Sequence, residues 1–93
     1  MTLPPLELLE SVHKFPGTYT FKIIALNNEE TLKNILEVMK VKLNLPELPK
    51  YTSRVSEGGK HVSITLEPTL QKAQDVHDIY QALLETKGVL LLL

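Results

Sequence analysis

An α+β fold built on one antiparallel sheet is what this 93-residue chain predicts. Two strand-like segments, residues 18–26 (TYTFKIIAL) and 61–67 (HVSITLE), are each followed by a helix-like one. A glycine-rich turn, Glu57-Gly58-Gly59-Lys60, precedes the second segment and marks a hairpin. The apolar run at residues 89–93 supplies a closing strand.

Residues 3–14 carry Leu6, Leu9 and Val12 at helical spacing after Pro4-Pro5, which predicts a short helix ended by Phe15-Pro16-Gly17. Over residues 18–26, Tyr19, Phe21 and Ile23 alternate with Thr20, Lys22 and Ile24, the pattern of a half-buried strand. Asn27-Asn28-Glu29-Glu30 is a helix start, with an asparagine to cap free amides and carboxylates in the positive first turn. Leu32, Ile35, Leu36, Met39 and Leu43 then form one apolar face, opposite Lys33, Glu37 and Lys40. Pro46 and Pro49 stop that helix.

Residues 50–56 form a weaker strand, with only Tyr51 and Val55 large, that pairs through the Gly58-Gly59 turn with residues 61–67. There, Val62, Ile64 and Leu66 alternate with His61, Ser63 and Thr65. Pro68-Thr69 is expected to open a second helix with Ala73, Val76, Tyr80, Leu83 and Leu84 in one stripe, ended by Lys87-Gly88. The closing strand does not alternate, so both of its faces must be covered or one must meet a partner.

In order these elements read βαββαβ, and right-handed crossovers place both helices on one side of the sheet. This is the ferredoxin-like arrangement, a four-stranded antiparallel sheet of order 4-1-3-2. It predicts residues 1–17 as an N-terminal extension and 18–93 as the domain. The expected core is Phe21, Ile23, Leu32, Ile35, Leu36, Met39, Val62, Ile64, Val76, Tyr80 and Leu83.

The segments FPGTYTFKIIA (residues 15–25) and SEGGKHVSIT (residues 56–65), with a closing helix and an apolar last strand, resemble the small uncharacterised bacterial proteins typified by YbeD. The resemblance covers the chain past residue 14. Two departures accompany it: Ala25 stands where that family carries glycine, and Lys60-His61 lies where it carries a hairpin aromatic. The resemblance implies a ferredoxin-like fold similar to the ACT-type regulatory domains that bind amino acids, and it brings no established enzymatic activity with it.

Composition narrows function. With no cysteine there is no disulfide, thiolate metal site or thiol nucleophile. Ten basic and eleven acidic residues give a net charge of -1, and no basic patch for nucleic acid or an anionic membrane stands out. The N-terminal residues have neither a basic start nor an apolar core of signal-peptide type, and no apolar run is long enough to span a bilayer. A soluble cytoplasmic protein is expected, with no membrane and no nucleic acid among its partners.

No catalytic, metal or cofactor site emerges. His13, His61 and His77 show no ligand spacing. Gly58-Gly59-Lys60 joins two strands, whereas a phosphate loop leads into a helix N-terminus. Ser11, Ser53, Ser56 and Ser63 lack a strained elbow and a positioned base. The open sheet face would carry Thr20, Lys22, Ile24, His61, Ser63 and Thr65, with none of the aromatics on which an RNA-recognition sheet stacks bases.

What remains is association. Alternation over residues 89–93 would set Leu90 and Leu92 opposite Val89, Leu91 and Leu93, so the helices could cover only one set. The expected contact surface is Lys22, Ile24, His61, Ser63, Leu90 and Leu92, facing a protein partner or a second copy of the chain. The competing cover is Leu6 and Leu9, folded back over the same side. The competing function is an ACT-like amino-acid sensor binding a small molecule at a dimer interface, although Leu26-Asn27-Asn28 replaces the glycine such a site uses after its first strand.

Overall fold

The computed structural model describes residues 5–93. The expected helix of residues 3–14 is α1, Leu6–Val12, and its first positions lie outside the described residues. The remaining elements, in chain order, are β1 (Gly17–Thr18), β2 (Phe21–Leu26), α2 (Glu29–Leu43), β3 (Thr52–Val55), β4 (His61–Leu66), β5 (Thr69–Leu70), α3 (Ala73–Leu84) and β6 (Val89–Leu92). The fold is α+β, with a four-stranded antiparallel sheet ordered β3-β4-β2-β6 and a two-stranded sheet β1-β5.

The first expected strand is interrupted. Gly17 pairs with Leu70 and Thr18 with Thr69, and the same register resumes at Phe21 opposite Leu66. Between them the Tyr19 amide donates to the Pro68 carbonyl at 3.0 Å. Proline has no N–H to return that bond, so the ladder breaks there and Tyr19 and Thr20 fall between strands. For the same reason Pro68-Thr69 does not open a helix. Thr69–Leu70 is spent on strand pairing, Leu70 is buried, and α3 starts at Ala73. Its first turn is closed by the Asp75 carboxylate, which accepts from the Gln71 and Lys72 amides at 3.1 and 3.2 Å.

The longer helix follows its sequence signals. Asn28 Oδ1 accepts from the Thr31 amide at 2.7 Å, and Glu29 and Glu30 occupy the first turn. At the other end Asn44 takes the left-handed conformation, φ 53°, and the Leu45 amide reaches back to the Lys40 carbonyl at 3.0 Å.

One core joins these elements. The inward set of β2 (Phe21, Ile23, Ala25) and of β4 (Val62, Ile64, Leu66) is buried with Ile35, Leu36 and Met39 of α2 and Val76, Ile79, Tyr80 and Leu83 of α3. Leu32, expected in the core, is only partly buried at its margin. Leu9 is 3% exposed in the same cluster, and α1 packs against α3, so the segment before Gly17 contributes to this core. Among the described residues no helix is long and apolar enough to cross a membrane.

Candidate functional site

The outward set of the four-stranded sheet faces away from the helices. Because directly paired residues of antiparallel strands share a face, the register assigns it row by row. Thr52, Thr65 and Lys22 make one row, and Arg54, Ser63, Ile24 and Leu91 the next. Leu26 stands beside His61 at the far end.

Four of the six expected contact residues meet here. Lys22 and His61 are exposed and Ile24 and Ser63 half-buried, with Ser63 opposite Ile24 and His61 two residues before Ser63 at the start of β4. The other two divide. Leu90 is 53% exposed, whereas Leu92 is 3% exposed and belongs to the core.

A bulge explains the correction. Leu92 pairs with Ile23 and Leu91 with Ile24, but Ala25 pairs with Val89, leaving Leu90 as an extra residue without a partner on β2. The shift lets Val89 and Leu92 both turn inward and leaves Leu90 and Leu91 outside, Leu91 at 43% exposure. Leu91 is therefore the open-face residue that strict alternation misplaces. A run of identical apolar residues gives no signal for a bulge.

Sequence reasoning also passed over Arg54 and Leu26. Both could have been found by extending the parity of His61, Ser63 and Thr65 across the hairpin and along β2.

A shallow depression of about 280 Å³ opens on this face, with Ile24, Arg54, His61, Ser63 and Glu57 of the hairpin turn in its lining. A wider groove of about 740 Å³ lies between the end of α2 and the β3–β4 pair, lined by Leu43, Leu45, Tyr51, Thr65, Leu66 and Pro68 among others. Lys50 and Glu67 are its charged lining residues. Among the described residues no group of three or more His, Asp or Glu side chains could hold a metal.

The loop between β2 and α2 is tied down on all sides. The Asn27 amide donates to the Lys60 carbonyl at 3.0 Å and its Nδ2 to the Gly59 carbonyl at 2.9 Å. The Leu26 amide donates to the Gly88 carbonyl at 2.9 Å. Asn28 is engaged as the cap of α2.

The aromatic side chains cluster on the opposite side of the sheet. Tyr19 lies 4.9 Å from the rings of both His13 and Phe21, and Phe21 meets Tyr80 edge-on at 5.4 Å. The Tyr80 hydroxyl is 3.3 Å from that of Tyr19 and 3.5 Å from the Leu93 carbonyl, to which it donates. Burial, reinforced by the Tyr19 hydroxyl, holds its phenol protonated well above the usual tyrosine range. The group knits α3 to the start of the sheet and leaves the open face of β2, β4 and β6 without Phe, Tyr or Trp.

The chain belongs to the family described as "Protein of unknown function (DUF493)", whose sequence profile matches residues 10–93. The resemblance carried by residues 15–25 and 56–65 points the same way, since YbeD is a member of that family. No curated protein matches the chain.

Proposed function

We propose that this member of the DUF493 family is a regulatory or adaptor module, without catalysis of its own, that acts by protein–protein association through the open face of its sheet. One observation carries the reading: Ile24, Leu26 and Leu91 share the side of the sheet away from the helices, and Leu26 and Leu91 stay 40% and 43% exposed there, with Leu90 53% exposed at the adjoining bulge. A solvated antiparallel face ordinarily alternates to polar residues. Here the β2–β6 half of it, apart from Lys22 at one end, stays apolar, as an interaction surface does.

A photo-crosslinking side chain at Ser63, on the open face, and another at Lys33, on exposed α2, tests this. A discrete adduct in cells from position 63 alone, with a protein or a second copy, is the expected result. Adducts from both positions alike, or from neither, would remove the proposal.

The ferredoxin-like description belongs to the same proposal. It is supported by the order β3-β4-β2-β6 and by α2 and α3 sharing one core with the sheet. The ACT-like sensor reading draws on that arrangement, but the hydrogen bonds that engage Asn27 and Asn28 weigh against it. Thermal-shift measurements with the common amino acids separate the two readings, since a sensor is stabilised by its ligand and an association module is not.

A further inference from the structure

The open face is divided lengthwise. Its β2–β6 half carries Ile24, Leu26 and Leu91, and its β4–β3 half carries Ser63, His61 and Arg54. Lys22 stands beside Thr65 at one end. The outward positions of these strands include two cations and no carboxylate. The nearest acids lie off the strands, Glu57 in the hairpin turn and Glu67 beyond the end of β4. The strands themselves thus present two cations beside an apolar stripe, with Glu57 lining the depression next to Arg54.

From this division, and resting on the association reading above, we infer that the occupant of the open face is an acidic amphipathic helix of a partner protein. A helix about 10 Å across covers two strands spaced about 4.8 Å apart, so one apolar stripe spans β2 and β6. The carboxylates flanking that stripe then lie over β4 and β3, within reach of Arg54, with Lys22 at the end of the stripe. A second copy fits poorly, because an isologous stack would lay one cationic face on another with no strand carboxylate to answer it. Single-stranded RNA finds the cations but no outward Phe, Tyr or Trp on β2, β4 or β6, and only the His61 imidazole on which to stack.

The test uses the full chain and two synthetic helical peptides with the same leucine stripe, one flanked by glutamates and the other by lysines. Affinity is measured by fluorescence anisotropy at low and high salt, alongside a single-stranded RNA oligonucleotide. The glutamate peptide should bind more tightly by about three- to tenfold, as expected for two rim charge pairs, with the advantage shrinking in salt. Lys22→Glu combined with Arg54→Glu should reverse the preference, and Leu91→Lys should weaken both peptides. These positions are exposed, and unchanged unfolding midpoints verify that the variants fold.

Equal binding of the two peptides, or self-association lost on Leu91→Lys, overturns the acidic partner and leaves the face an association surface. RNA binding tighter than either peptide overturns it in favour of nucleic acid. Binding of none of the three, together with failure of the position-63 crosslink, removes both the partner and the reading it rests on.

Discussion

Ile24 and Leu91 stand directly opposite each other on β2 and β6, immediately beside the point where the strand register shifts. That pairing decides which leucines of the last strand belong to the fold and which to its surface. It separates two neighbours by burial, with Leu92 at 3% exposure and Leu91 at 43%.

Leu92→Ala is accordingly expected to destabilise the protein by about 2–5 kcal/mol, the cost of truncating a buried aliphatic side chain. Leu91→Lys should change stability by no more than about 0.5 kcal/mol, as surface substitutions do. Urea unfolding of the two variants measures both. A larger loss for Leu91→Lys than for Leu92→Ala would show that no bulge forms.

Ile64 lies fully buried at the centre of the sheet, paired with Ile23 on one side and Ser53 on the other. Ile64→Ala should cost about 2–5 kcal/mol. Its outward neighbour Ser63 should accept alanine with little loss, so the difference between the two alanine variants in denaturant midpoint reads out the facing of β4 directly.

Gly88 adopts φ +93°, and a Cβ placed on it would run into the side chain of Thr31 in the first turns of α2. Gly88→Ala therefore combines backbone strain with a steric clash at the site where Leu26 bonds to the Gly88 carbonyl. A loss of about 1–3 kcal/mol is expected from calorimetric or denaturant unfolding. The same change at Gly58, around whose Cβ position there is open space, carries only the backbone cost.

Tyr80 sets a limit at alkaline pH. Burial, and then the Tyr19 hydroxyl, raise its folded-state pKa, whereas the unfolded chain releases the same proton near the ordinary value of about 10. The folded state thus holds more protons than the unfolded one above that value. The associated stability is complete below it and is lost as pH rises from there toward the folded pKa. Thermal unfolding followed from about pH 8 to 11 should show a falling Tm, with a shallower fall in Tyr80→Phe. An identical slope in the variant would assign the loss elsewhere.

The two faces of β4 were legible along the chain because Val62, Ile64 and Leu66 alternate cleanly with polar residues, and period-two alternation by itself separates inward from outward. The stripe of α2 was legible for the same kind of reason, as was its cap at Asn28, a contact between residues three apart. Four of the six residues expected on the association surface, Lys22, Ile24, His61 and Ser63, follow from that local pattern and do gather on the open face.

Other features are set by partners distant in sequence. Thr69–Leu70 reads as the start of a helix until Gly17–Thr18 is brought beside it, and the gap at Tyr19 and Thr20 exists because Pro68 lies across the ladder without an N–H. Leu9 and Leu70 enter the core only through the packing of α1 and β5 on the rest. In the last strand the residues are all apolar, so nothing in their order favours one facing over another. The tertiary structure chose Leu92 for the core and Leu91 for the surface, because pairing Ala25 with Val89 and Ile24 with Leu91 leaves one residue too many on β6. A bulge is a mismatch in count between two strands, and that count is defined only once the strands lie side by side.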